Sequence, residues 1–277
     1  MKNQPILIIG NTGKTGSRVQ NILDSLGYQT RGASRSSEFR FDWNDATTWP
    51  QVLQGATTAY VTYQPDLAVP HAEETIQNFV AQAKISGLEH IVLLSGRGED
   101  GAERAERVLQ ESGLDWSIVR ASWFAQNFSE GFMLDGILSG QMVLPASQTR
   151  EPFIDVDDIA EVAVAALTQE QCRNQIFEVT GPSAITFAEC VQIISDAIGR
   201  PIEYVPIPVD DYIETLKQLG QPEDILWLMR ELFTVVFDGR NTQTQNGVQK
   251  ALGRPATDFK DYVNKTIKTG IWNLPPV

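Results

Sequence analysis

Residues Ile6-Leu7-Ile8-Ile9 form a continuous apolar run that stops at Gly10, the pattern of a strand buried on both faces. Behind it, Val19, Ile22, Leu23 and Leu26 recur at helical spacing and Gly27 supplies a C-terminal cap, which predicts a helix over 15–26. Strand signals return over 29–34, 40–43, 58–61, 91–94 and 116–119, with helical periodicity over 72–86 and 102–112. Strands alternating with amphipathic helices build a βαβ repeat, so the sequence predicts an α/β fold with a doubly wound parallel sheet. After Trp123 the alternation weakens, although 153–155, 158–167 and 176–179 still read as a late strand, helix and strand of the same sheet. From Pro182 the pattern is mostly helical, over 187–198, 209–219 and 223–233, with one strand over 202–205.

Composition narrows the classes of function. The chain of 277 residues carries 22 Lys and Arg against 35 Asp and Glu, a formal charge of −13, with no basic block. Phosphate backbones and anionic bilayers need a basic footprint, so neither nucleic acid nor membrane is an expected partner. No stretch reaches the roughly 20 apolar residues of a membrane span, and the first residues lack a charged n-region and cleavage site. Cys172 and Cys190 have neither metal-ligand nor disulfide-framework spacing. These features together predict a cytoplasmic protein, monomer or homodimer, acting on a small molecule.

The turn Gly10-Asn11-Thr12-Gly13-Lys14-Thr15-Gly16 lies between a predicted buried strand and a predicted helix. That context turns a glycine trio into a dinucleotide signal: glycine is needed where the turn is tight, where backbone meets pyrophosphate, and where helix packs on strand. The fold is therefore read as Rossmann-type. Residues 1–181 are assigned as the NAD(P)-binding domain and 182–277 as a smaller substrate-binding lobe packed on it without a long linker. An NAD-preferring site carries an acid about 20 positions past the glycines; here stand Ser34 and Arg35. Arg35 presents a fork of donors suited to a ribose 2′-phosphate, with Ser34, Ser36 and Lys14 as assistants, which points to NADP(H). Asp42, in Phe41-Asp42-Trp43, either meets the adenine edge or closes a turn.

The glycine turn, Ala33-Ser34-Arg35-Ser36-Ser37, Phe41-Asp42-Trp43, Leu94-Ser95, the segment from Arg120 to Phe128 and the segment from Phe153 to Ala160 together resemble the NmrA-like atypical short-chain dehydrogenase/reductases. Within that group the chain looks most like the agroclavine dehydrogenase and festuclavine synthase type, with the NAD(P)H quinone oxidoreductases as further relatives. The resemblance implies NADP(H) along the C-terminal edge of the sheet and a substrate cleft beside the terminal lobe. The Tyr-x-x-x-Lys pair of classical members is absent, and after Ser95 the helix reads Glu103-Arg104-Ala105-Glu106-Arg107 where the family often has Lys or His.

Without that acid, hydride transfer still proceeds if the acceptor is electron-poor, because the cofactor carries the difficult chemistry. The expected activity is an NADPH-dependent oxidoreductase acting on a small flat quinone, imine, iminium or conjugated carbonyl. Trp123, Phe124 and Phe128 are the candidate aromatic wall, with Asn127 and Tyr63 as hydrogen-bonding groups; the opposing reading makes the aromatics core residues. Ser95 and Tyr63 are the candidate catalytic residues, and Ser95 also stands where it would meet the cofactor. His71 and His90 read as structural. Asp155, Asp157 and Asp158 read as a strand-to-helix junction with Asp157 as N-cap, and no metal site is assigned. The alternative function is a non-catalytic NADP(H)-binding redox sensor, as in the family's name-giving regulators.

Overall fold

The computed structural model describes residues 4–146 and 148–274. β1 (Ile6–Ile9), fully buried as its apolar run requires, leads through Gly10 into α1 (Lys14–Ser25). There follow β2 (Thr30–Ser34), β3 (Phe39–Arg40), α2 (Trp49–Leu53), β4 (Thr58–Val61), α3 (Ala72–Ile85), β5 (His90–Gly96), α4 (Asp100–Gln110) and β6 (Asp115–Ala121). The chain continues as α5 (Asn127–Glu130), α6 (Leu134–Ser139), β7 (Gln141–Leu144), α7 (Val156–Thr168) and β8 (Gln175–Val179). It ends with α8 (Phe187–Ile198), β9 (Glu203–Pro206), α9 (Val209–Gln218), α10 (Glu223–Glu231), α11 (Gly247–Leu252) and α12 (Phe259–Ile267).

Among the described residues the main sheet is parallel throughout, in the order β3-β2-β1-β4-β5-β6-β8. The Rossmann-type expectation is met. Leu7, Ile9, Ala59, Val61, Ile91 and Leu93 face one way, into a cluster with Ile76 and Phe79 of α3 and Ala105 and Leu109 of α4. The intervening Ile8, Tyr60 and Val92 are equally buried on the other face, as a sheet covered on both sides demands. From β1 the chain runs outward through β2 to β3, then returns to place β4 on the other flank of β1. The carboxyl ends of β1 and β4 therefore form the switch point where open α/β sheets bind ligands.

Two compact units interleave along the chain. The first comprises Met1–Ala121, Asp157–Val179 and Asn246–Arg254; the second comprises Ser122–Val156, Thr180–Gln245 and Pro255–Val277. A single boundary at 181/182 does not describe this passage. The chain leaves after β6, returns as α7 and β8 to extend the sheet, and returns again as α11. There Gly247 lies so close to β8 that a Cβ would sit 2.2 Å from the Glu178 carbonyl oxygen. The second unit holds the short parallel pair β7 and β9 and an aromatic core of Trp123, Phe128, Phe153, Phe187, Phe233, Phe237, Phe259 and Tyr262.

Three elements differ from the sequence reading. Residues 153–155 add no strand to the main sheet: Ile154 makes an isolated bridge with Phe124, and Phe153 enters the second unit's core. A short apolar run alone does not distinguish a strand from another buried segment. The strand expected over 40–43 stops at Arg40, because Asp42 accepts the Asn44 N–H at 3.0 Å and its carbonyl accepts Trp49 Nε1–H at 2.9 Å, which turns the chain. The helix expected over 223–233 ends at Glu231 and passes into a π-helical turn, Leu232–Val236.

Candidate functional site

The residues predicted for the cofactor converge on the carboxyl edge of the first unit's sheet. Gly10 ends β1 with φ +84°, a backbone state that L side chains rarely adopt, and a Cβ there would lie 2.1 Å from Thr62 Oγ1 just past β4. Gly13 donates its N–H to the Gly10 carbonyl at 2.9 Å. Gly16, in the first turn of α1, leaves no room either, since its Cβ would stand 2.2 Å from the Gly10 oxygen and 2.7 Å from its carbonyl carbon. Glycine at these places holds the helix start directly against the strand end. The N-cap of α1 is Gly13, with no side chain capping it and no acid in the first turn. The exposed amide dipoles are thus left for an anion.

Around this turn the side chains are already set. Asn11 Nδ2 donates to Gln20 Oε1 at 3.2 Å, and Asn11 Oδ1 accepts from Ser37 Oγ at 2.8 Å. Ser37 in turn lies 2.6 Å from Ser34 Oγ, which ends β2. Gly32 makes room for this arrangement, because a Cβ would fall 2.2 Å from Asn11 Nδ2. Arg35 follows immediately, exposed and with no hydrogen bond or ion pair among the described residues. A turn that a Cβ would fill, an uncapped helix start and an unpaired guanidinium at the end of β2 fit a dinucleotide with a 2′-phosphate. Asp42 is half-buried, and its Oδ1 takes a turn N–H.

Ser95 lies near the end of β5, 4% exposed, and donates to Glu106 Oε1 of α4 at 2.5 Å. Arg120 of β6 clamps the same carboxylate, with Nε 3.0 Å from Oε1 and Nη2 against Oε2, and reaches Glu178 Oε1 at 3.0 Å. Burial works against the Arg120 charge, but the hydrogen bond and charge of Glu106, with Glu103 and Glu178, outweigh it and raise its pKa. The consequence for Ser95 is specific. With its one proton committed to Glu106, its oxygen offers lone pairs to a ligand, so it is an acceptor and a poor proton donor.

Tyr63, 7% exposed, packs its ring 4.9 Å from that of Trp43 and 6.3 Å from that of His71. Asp66, three residues on, hydrogen-bonds the Glu99 carboxyl and takes the Ala68 N–H at 2.8 Å; burial raises its pKa against both. A hydrogen bond between two carboxyl groups needs a proton on one of them. The Glu99 side chain folds over Gly96 at the end of β5, where a Cβ would meet its Oε2 at 2.0 Å. Sequence reasoning passed over this pair, since nothing local links positions 66 and 99.

The predicted substrate residues separate. Phe128 is fully buried, with ring centroids 5.8 Å from Phe153 and 5.7 Å from Phe259, and is core. Trp123 is 8% exposed beside Phe187 and Phe233, while Phe124 and Asn127 are half-buried. His90 is interior, at the opposite end of β5, with Nε2 3.1 Å from Ser117 Oγ. Asp157 lies inside the first turn of α7, where it takes Arg18 Nε at 2.6 Å, so it is not the N-cap. Arg254 ties Asp158 at 2.8 Å and Glu161 at 2.6 Å. No group of three or more potential ligands is placed to hold a metal ion among the described residues, and none of their helices is long and apolar enough to cross a membrane.

The model of the NmrA-like family matches residues 101–267. NAD(P)H azoreductase of Xenophilus azovorans is 30% identical, over 93% of this chain and 96% of its own. The chain belongs to the NmrA-like family. Agroclavine dehydrogenase of Claviceps fusiformis is similar to this NmrA-like protein at 27% identity, over 94% of this chain and 96% of its own. Among solved structures, the Escherichia coli NADPH-dependent quinone oxidoreductase complexed with NADPH superposes with a TM-score of 0.79 at 19% identity, covering 95% of this chain and 99% of that one. The glycine turn lies outside the segment that the family model matches, so its geometry is independent support for the same reading.

Proposed function

We propose that this NmrA-like protein is an NADP(H)-dependent reductase of small, flat, electron-poor acceptors, namely quinones, imines or conjugated carbonyls. The observation that carries the reading is the junction of β1 and α1: Gly10 and Gly16, each at a place where glycine is required, flank the uncapped helix start at Gly13, with Arg35, unpaired among the described residues, just past the end of the neighbouring strand. Gly13, Lys14, Thr15 and Gly16 would hold the pyrophosphate, and Arg35, helped by Ser34 and Ser36, the 2′-phosphate. When bound, the nicotinamide supplies the hydride. Ser95 would accept a hydrogen bond from the bound molecule, and the Asp66–Glu99 pair would store a proton for the reduced acceptor. The first unit is read as the nucleotide-binding part and the aromatic core of the second as the source of acceptor recognition. The names of the azoreductase, the dehydrogenase and the quinone oxidoreductase support reductase chemistry as the common activity.

The test of cofactor choice is kcat/KM for NADPH and for NADH in the wild type and in Arg35→Ala. A preference for NADPH that collapses by about tenfold or more in the variant, the loss of one charge-assisted contact, is expected. An unchanged preference would remove Arg35 from the site.

A further inference from the structure

The second unit contains a polar group that its fold leaves unanswered. Trp123 Nε1 is buried and has no hydrogen-bond partner among the described residues, and Trp123 itself is 8% exposed. A buried donor without an acceptor is unfavourable and is kept where something else requires it. The indole is flanked by aromatic rings: Phe187 and Phe233, both at 5.2 Å, and Phe237 at 6.0 Å, with interplanar angles of 84°, 53° and 63°. Tyr212 of α9 packs on Phe233 at 5.6 Å. That side chain is partly exposed, and burial pushes its pKa up to about 12, so its hydroxyl remains a donor. Phe233 sits on the π-helical turn, closed by the Phe237 N–H to the Leu232 carbonyl at 2.9 Å. Single π turns in α-helices concentrate at functional sites.

We infer that this aromatic cluster is a recognition site for a neutral, flat ligand bearing carbonyl oxygens, a quinone being the simplest, which accepts hydrogen bonds from Trp123 Nε1 and Tyr212 Oη. The inference rests on the reductase reading and selects among its acceptors. Both groups are donors, and the indole is packed within a cluster of hydrophobic side chains. A carbonyl oxygen completes such a site, whereas the nitrogen of a cationic iminium has no lone pair to accept from N–H and O–H groups. Phe233 in the π turn and Phe237 just past it, both against the indole, are the side chains that would yield to admit the ring.

Trp123→Phe keeps an aromatic ring and removes the N–H, and Tyr212→Phe does the same at the second donor. With 2-methyl-1,4-naphthoquinone as acceptor, each variant should lose about 3- to 10-fold in kcat/KM, one neutral hydrogen bond. With a cyclic N-methyl iminium ion neither should change, and the NADPH dissociation constant should hold. Equal loss for both acceptors, or loss for neither, would overturn the assignment. If the wild type reduces no acceptor, the reductase reading fails, and the inference is decided by nuclear magnetic resonance of ¹⁵N-labelled indoles in protein saturated with NADP⁺. The signal missing from Trp123→Phe should move on addition of the naphthoquinone; a signal that stays put would overturn it.

Discussion

Gly16→Ala should separate the cofactor role of the glycine turn from its packing role. The new Cβ would stand 2.2 Å from the Gly10 carbonyl oxygen, 2.7 Å from its carbon and 3.1 Å from Asn11 Cα. Every one of these neighbours is backbone, so no side chain can swing aside. Relief requires α1 and the turn to part by roughly 1 Å, an overpacking cost of ~1–3 kcal/mol. The same movement draws the first amides of α1 away from the Gly10 turn. Loss of one charge-assisted hydrogen bond to phosphate costs ~1.5–3 kcal/mol, or about 10- to 150-fold in Kd. The control is Gly247→Ala, whose Cβ would meet the Glu178 carbonyl oxygen at the same 2.2 Å, far along the chain from the turn. Thermal unfolding and NADPH titration would be run on both variants. Both should melt several degrees lower, and only Gly16→Ala should bind NADPH weakly. Unchanged NADPH affinity in a folded Gly16→Ala protein, or equal loss in the control, would refute the cradle.

Acid should destabilise the fold through His90. Burial and the charge of Arg173 hold its pKa down to about 4, against the opposing charge of Asp115. The unfolded chain takes the proton first, so stability is full above about pH 6.5 and falls by ~3 kcal/mol as the pH drops through 4. In denaturant titrations over that window, His90→Phe should flatten the slope; an identical slope would assign the effect elsewhere. Arg120→Met should cost ~3–5 kcal/mol by stranding the buried Glu106 carboxylate, with partial recovery in the Arg120→Met/Glu106→Gln double variant; additive losses would contradict the clamp. Ser95→Ala should weaken NADPH binding by up to about tenfold, as for one hydrogen bond, and leave turnover at saturating cofactor within that range. A loss of about a thousandfold in kcat would make Ser95 the proton donor, against its geometry.

The first part of the site was legible because its signal is contiguous. A buried strand, three glycines and a helix follow one another within residues 6–25, and Gly10 and Gly16 each report a local steric need. The position of Arg35, directly after Ser34 where β2 ends, was equally legible. What could not be read depends on long-range packing. Phe128 and Trp123 share one short segment and one residue class, but only the fold sets the first fully inside the core and leaves the second with an unanswered N–H. The Asp66–Glu99 contact exists because the loops after β4 and β5 meet, and the partner that turns Ser95 into an acceptor lies a helical segment away at Glu106. β7 shows no clear strand signal because its ladder partner, β9, comes after α7, β8 and α8. The chain's repeated returns to the sheet are likewise tertiary facts, since α11 is too short to declare itself in sequence.

The central claim is tested most directly by NADPH oxidation with the purified protein, with and without each member of a panel of quinones, cyclic imines and conjugated aldehydes. Consumption of NADPH that requires an acceptor, and is slower with NADH, is the predicted result. Tight NADPH binding without consumption in the presence of any of them would contradict the reductase and favour an NADP(H) sensor.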